Sequence, residues 1–225
     1  MNPPLATLIG DVVASKRHAD RPRLQRTLRR ILDDANTALG PEQPLELTVG
    51  DEFQGAFRDI ASAAWASFVI RLALLERSPS TDTRYGLGYG PITVFDADRK
   101  PISQDGPGWW AARVAIEHAR ALAASSRTAS ARTSFGRWDT QRDAFVADGA
   151  MEAFLLCRDS IIGSMTNRQR RLLLGIVSGR SQETLAQEEK ITQGAVSQSL
   201  HRSGAFVVAE AHLLLRGGES EPWRS

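Results

Sequence analysis

Two aspartates in this chain have the setting that divalent-cation chemistry requires. Asp11 lies in LIGDVVASK, a carboxylate inside an apolar, β-branched run. Such a group is costly to bury unless it is paired or coordinated. Asp51 lies in TVGDEFQGAF, beside Gly50 at the tip of a Gly-Asp turn between two hydrophobic segments. Mg²⁺ takes hard oxygen ligands, usually one or two carboxylates, with phosphates and waters completing its octahedron. Asp11 and Asp51 are therefore the candidate ligands for Mg²⁺ or Mn²⁺. The VVASKR segment after Asp11 supplies the phosphate side of such a site. It offers backbone N–H groups at Val13 and Ala14, the Ser15 hydroxyl and the Lys16 ammonium, while Gly50 opens the turn to the same phosphates. The alternative for Asp51 is a plain turn former. Glu52 is expected to face solvent or a basic neighbour.

These groups meet only if the surrounding elements bring them together. Residues 5–14 read as a buried strand that ends at a polar rim. Residues 22–39 space Leu24, Leu28, Ile31, Leu32, Ala35 and Leu39 as one helical face and stop at Gly40-Pro41. LELTVG and EFQGAF are short strands on either side of the Gly-Asp turn. Residues 60–76 are apolar nearly all round, which predicts a buried helix. RYGLGYGPITVF reads as a strand or hairpin with glycines at close backbone approaches. Residues 107–124 form a third helix, with Asp105 as cap and Pro107 in the first turn. The order β-α-β-β-α-β-α predicts an α+β, ferredoxin-like βαββαβ domain over 1–148, with helices on one face of an antiparallel sheet. There the first strand and the hairpin are neighbours, so Asp11 and Asp51 converge. Residues 125–148 are rich in Ser, Thr, Ala and Arg, and fit either a flexible basic loop or an extra hairpin with an edge strand at 132–135. Arg127, Arg132, Arg137 and Arg142 then belong to a solvated surface.

Residues 149–164 are expected to be a connecting helix, and 165–225 a small all-α domain. TNRQRRLLLGIVSG opens with a Thr-x-x-Gln capping box and closes at glycine. SQETLAQEEK and QGAVSQSLHR are two further short helices, about three residues apart. Tight connections of this kind predict a helix-turn-helix. Leu185, Ala186, Ile191, Val196 and Leu200 would hold its helices together. Thr192, Gln193, Gly194, Ser197, Gln198 and Arg202 would face the major groove of double-stranded DNA, where Gln pairs with adenine and small residues admit phosphate. Arg168, Arg170 and Arg171 would contact the DNA backbone. The competing reading is a three-helix satellite that packs on the first domain or on another chain.

Composition narrows the classes without choosing among them. The 225 residues carry 28 Lys and Arg against 26 Asp and Glu, too small an excess to indicate nucleic acid by itself. Cys157 is the single cysteine, so no intramolecular disulfide or thiolate cluster forms, and a cytoplasmic location is expected. His18, His118, His201 and His212 show no metal-ligand spacing. No signal peptide is apparent, and no apolar stretch approaches the roughly 20 residues of a membrane span.

LIGDVVASK, TVGDEFQGAF, RYGLGYGPI and an AAR helix resemble the class III nucleotide cyclases in order and spacing. GDEF is also similar to the signature of the diguanylate cyclases, which share a palm-like fold. ITQGAVSQSL resembles the recognition helix of sigma-factor region 4. Over nearly its full length the chain is most similar to the SatD family of bacterial proteins. The resemblance implies a nucleotide-cyclase-like first domain in which Asp11 and Asp51 hold metal. It also implies that Arg113 serves as phosphate-binding, transition-state arginine, and that two copies pair as a homodimer. Two positions depart from the cyclase pattern. Leu47 stands where adenylate cyclases carry a base-selecting lysine, and Trp109 where they carry a ribose-orienting asparagine. Losing one aligned donor removes about 2.7–4 kcal/mol of transition-state stabilisation. The pattern therefore implies a DNA-binding transcriptional regulator whose cyclase-like domain binds a nucleotide or cyclic nucleotide. An active nucleotidyl cyclase or nucleotidyltransferase, and a ligand-free dimerisation platform, are the alternatives. Trp109 and Trp110 would then stack on a base or fill an interface.

Overall fold

A computed structural model describes residues 3–218; the part of the expected second domain beyond Gly218 lies outside the described residues. The chain divides into two compact units, Met1–Asp159 and Ser160–Ser225. The division falls inside the helix expected to connect them.

The first unit is organised around β1 (Leu5–Val12). This strand pairs antiparallel with β3 (Phe53–Phe57) and with β4 (Thr83–Gly90). β2 (Gln43–Leu47) lies outside β3, while β7 (Thr133–Asp139) and β8 (Ala144–Ala147) extend the sheet beyond β4, in the order β2-β3-β1-β4-β7-β8. β5 (Thr93–Asp96) and β6 (Ser103–Asp105) form a separate two-stranded ribbon. The sheet is mixed, because β7 runs parallel to β4. The expected edge strand at 132–135 is therefore an interior strand, and the arginine-rich segment is a hairpin whose outer strand is β8. Arg132 is not part of a solvated surface: its guanidinium donates to Asp82 at 2.8 Å and to the carbonyls of Ala129 and Ala131.

Helices cover both faces of this sheet, in place of the one face expected. The reason is visible in β1, where Ala6 to Gly10 are all buried, so neither face of that strand is left to solvent. α1 (Arg21–Leu39) turns Leu24, Leu28, Ile31, Leu32 and Ala35 inward and ends at Gly40, whose φ of 53° closes the helix in the left-handed region. α2 (Ile60–Arg77) is buried along most of its length. α3 (Pro107–Ala124) lies on the opposite face, close above Gly86 and Gly88 of β4. A Cβ at Gly88 would sit 2.2 Å from the Gly108 carbonyl oxygen, so the glycines are what let this helix approach. Gly106, not Asp105, occupies the N-cap of α3; Asp105 instead accepts the Trp110 indole N–H at 2.6 Å. Trp109 packs with Ile9, Ala56, Ile92, Ala112 and Ile116, so it is a core residue and neither stacks on a base nor fills an interface. α4 (Gly149–Ser164) follows β8.

The second unit contains α5 (Asn167–Val177), α6 (Gln182–Glu189), α7 (Gln193–Arg202) and α8 (Ala205–Leu215). The Thr166–Gln169 capping box forms in both directions, and Ser181 and Thr192 cap the next two helices. Lys190 adopts a left-handed conformation, φ 56°, and the Ile191 N–H bonds back to the Ala186 carbonyl, which ends α6 as a Schellman-type cap. Leu172, Leu173, Ile176, Leu185, Val196, Leu200, Val208 and Leu213 form the unit's core. α8 is a fourth helix, beyond the three short helices expected. No helix among the described residues is long and apolar enough to cross a membrane.

Arg171 grips Glu189 through two hydrogen bonds of 2.6 and 2.7 Å, tying α5 to α6. Those bonds hold the Glu189 carboxyl below the usual glutamate range. With the folded value below the unfolded one, the pair's contribution is complete above the ordinary glutamate range and is lost as pH falls through the folded value. Thermal melts of Glu189→Gln and of the parent chain, followed by circular dichroism, should therefore converge on acidification. A constant gap at every pH would contradict this assignment.

Candidate functional site

The end of β1 and the turn between β2 and β3 open onto a cavity of about 650 Å³. Of the residues expected to bind metal or phosphate, Asp11, Val13, Ala14, Ser15, Lys16 and Asp51 all line it. The local geometry follows from the turn. Gly50, at φ 67°, reverses the chain, and its carbonyl accepts from the Gln25 amide. The Asp51 carboxylate then reaches back to β1, where Oδ2 accepts the Val12 N–H at 3.0 Å. That bond fixes Asp51 beside the residue next to Asp11.

Asp11 does not stand alone. Arg84 is its register partner on β4, with Nη1 at 3.3 Å from Oδ2 and 3.4 Å from Oδ1. Arg120, from the last half of α3, places Nη2 at 3.1 Å from the same Oδ2. Burial pushes the Asp11 carboxyl above its ordinary value; the two arginines pull it back only in part, and the neighbouring Asp51 charge adds to the rise. Arg84 and Arg120 were not anticipated from sequence. Arg84 falls within an expected strand and Arg120 within an expected helix, and only the strand register and the packing of α3 bring them to Asp11.

Arg113 is engaged by a carboxylate of the turn. Its guanidinium makes a two-pronged pair with Glu52, at 2.6 and 2.7 Å, and so meets the cavity through that carboxylate. The hydrogen bonds from Arg113 hold the Glu52 carboxyl below its usual range. The expectation of a basic neighbour for Glu52 is met by this pair. Trp110, 40 % exposed, stacks edge-on against Trp138 at 5.6 Å.

The donor set suits a cation that arrives with phosphate. Asp11 and Asp51 present hard oxygens to one cavity, and Lys16 and Ser15 lie on the same wall. Among the described residues no group of three or more His, Cys, Asp or Glu side chains gathers around a point. A cation bound there would find two carboxylates and not a full cage, so its remaining ligands would have to come from phosphate and water.

In the second unit, Thr192, Gln193, Gly194, Gln198 and Arg202 are exposed along α7, Ser197 is half-buried, and Val196 and Leu200 face inward. Of the three arginines on α5, Arg171 is committed to Glu189, and Arg170 donates to the carbonyls of Ile162 and Gly163 at 3.2 Å. Arg168 is the most open, its Nε 3.6 Å from Glu189 and its side chain 57 % exposed.

No curated protein matches this sequence. Solved nucleotide cyclases are similar to it in part. A bacterial light-regulated adenylyl cyclase aligns over 59% of this chain and 43% of its own, with 16% identity and a TM-score of 0.46. The adenylate/guanylate cyclase/hydrolase from Silicibacter pomeroyi aligns over 49% of this chain and 66% of its own, with 24% identity and a TM-score of 0.39. The guanylyl cyclase domain of the RhoGC fusion protein from Blastocladiella emersonii aligns over 51% and 74%, with 16% identity and a TM-score of 0.38. The chain thus spans less than half the length of the first of these structures. The SatD family model, by contrast, runs from residue 5 to residue 209, through both units, and this chain belongs to the SatD family.

Proposed function

We propose that this protein is a cytoplasmic DNA-binding transcriptional regulator. In this reading its sheet unit binds a nucleotide-type ligand with Mg²⁺ or Mn²⁺, and its helical unit reads double-stranded DNA as a helix-turn-helix. The observation that carries the DNA half is the character of α7. It buries only Val196 and Leu200 and leaves a continuous face of small and polar residues from Thr192 to Arg202. Gly194 has nothing within 4 Å of where a Cβ would be, so the start of the helix is open to a phosphate. Gln193 and Gln198 have the side-chain chemistry to pair with adenine. The nucleotide half rests on the convergence of Asp11, Asp51, Ser15 and Lys16 on one cavity. Two copies of the chain would present two such helices to paired half-sites. For ligand to control binding, it must favour one of the DNA-competent and incompetent arrangements.

Two features favour binding over cyclase turnover. Arg113, the counterpart of a transition-state arginine, is neutralised by Glu52, and Trp109 is in the core where a ribose-orienting asparagine would be needed. Selection from randomised duplex DNA with the full chain should enrich a defined site. On that site Gln198→Ala and Arg202→Ala should each weaken binding by about 1–3 kcal/mol if they read bases. No enrichment, or unchanged affinity in both variants, would remove the DNA assignment.

A further inference from the structure

We infer that Arg84 and Arg120 form a cation-mimicking clamp on Asp11, which a metal–polyphosphate complex opens when Arg120 transfers from the carboxylate to the phosphate. This rests on the nucleotide–metal reading of the cavity given above. It goes further by naming two residues that reading lacked and by fixing the class of ligand.

The two arginines hold the carboxylate in different ways. Arg84 is opposite Asp11 in the β1–β4 ladder, and its side chain is only 12 % exposed. Its Nε is buried without a hydrogen-bond partner, so this guanidinium is fixed at the cavity wall with a donor still to satisfy. Arg120 projects from α3 with its side chain 54 % exposed, and its other bonds run to Glu117 on the same helix. It can swing away from Asp11 while its bonds to Glu117 remain, whereas Arg84 is held in the strand ladder.

Charge balance around the cavity points to the ligand. Asp11 and Asp51 share its lining with Arg84, Arg120 and Lys16, while the third carboxylate there, Glu52, is already paired with Arg113. A bare divalent cation must displace a guanidinium from Asp11 and bring no anion to replace the lost contact, which leaves Arg120 only its bonds to Glu117. A bare phosphate meets carboxylates. A cation bound to a di- or triphosphate satisfies both sets at once, with the metal on Asp11 and Asp51 and the freed Arg120 on the phosphate. Metal and polyphosphate should therefore bind with strong positive coupling, and the coupling is reciprocal.

Mn²⁺ binding followed by electron paramagnetic resonance, with and without tripolyphosphate, tests this on the full chain. In the parent protein, tripolyphosphate should tighten Mn²⁺ binding by about tenfold or more. In Arg120→Ala, Mn²⁺ alone should bind several-fold tighter than to the parent, and the gain from tripolyphosphate should shrink. Arg120→Lys, which keeps a charge and is a mild change at this exposed site, should lie between the two. If Mn²⁺ alone binds Arg120→Ala no better than the parent, the clamp is wrong. If tripolyphosphate fails to enhance Mn²⁺ in the parent, the coupling is wrong. A polyphosphate that binds the parent well while nucleoside di- and triphosphates do not would overturn the nucleotide reading and leave the clamp standing.

Discussion

Replacing Asp159 by Ala is expected to lower the unfolding free energy of the sheet unit by about 3–5 kcal/mol, the cost of breaking a buried ion pair by removing one partner. Asp159 is fully buried and lies between two guanidiniums that are themselves almost inaccessible, Arg71 and Arg158. Its Oδ1 accepts from Arg71 at 3.1 Å and from Arg158 at 2.9 and 3.2 Å, and its Oδ2 accepts the Arg132 N–H at 2.8 Å. Asp82 takes the rest of Arg71, at 2.8 and 3.0 Å, and the Arg132 Nε. Arg158 completes its shell on the Ala64 carbonyl, Ser67 and Thr133, which joins α4 to α2 and to β7. Two carboxylates thus serve three arginines, and losing one leaves a buried positive charge with no counterion. Urea denaturation measures the effect. The double variant Arg158→Met, Asp159→Ala removes the orphaned charge and should cost less than the sum of the single changes. A loss below about 1 kcal/mol for Asp159→Ala would mean that water reaches this network.

The reach of the sequence was set by range. Features decided within a few residues were readable: the amphipathic face of α1, the glycine that stops it, the turn at Gly50, and the capping box at Thr166. The convergence of Asp11 and Asp51 was readable because an antiparallel β1–β3 pair follows from the element order. What failed depended on partners distant in the chain. The segment holding β7 fits a basic loop or an extra hairpin with an edge strand, and what the pattern misses is that β7 is interior, since Thr133 and Ser134 are buried by virtue of bonds to Arg158, Glu152 and His118 that no local pattern announces. Trp109 fits a base-stacking or interface residue by sequence because nothing in its neighbours reveals that α3 turns it toward Ile9 and Ala56. Arg84 and Arg120 are the costliest omission, because they change Asp11 from a waiting metal ligand into one already held by cations.

Gly88→Ala is expected to destabilise the sheet unit by about 3 kcal/mol, the upper part of the range for overpacking, and to disturb the site from a distance. The added Cβ would lie 2.2 Å from the Gly108 carbonyl oxygen and 2.5 Å from the Ala112 nitrogen. Both are backbone atoms of α3, so no side-chain rotation relieves the contact, and the helix must lift. The same Gly108 oxygen accepts the buried Thr7 hydroxyl at 2.8 Å, and lifting α3 also breaks that bond. α3 carries Arg113 and Arg120, so the pairs with Glu52 and Asp11 lengthen together. Mn²⁺ affinity should therefore shift in Gly88→Ala in the direction expected for Arg120→Ala, although residue 88 lies on β4 and not among the residues lining the cavity. Gly55→Ala is the matched control. Its Cβ would meet the Leu45 side chain at 2.9 Å and the Leu45 Cα at 3.2 Å, so β2 must give by a few tenths of an ångström, on a strand that holds neither arginine. A Gly88→Ala chain with parental stability and parental Mn²⁺ binding would show that α3 is not seated by these glycines. Loss of stability with unchanged Mn²⁺ binding would instead separate the seating of the helix from the state of Asp11.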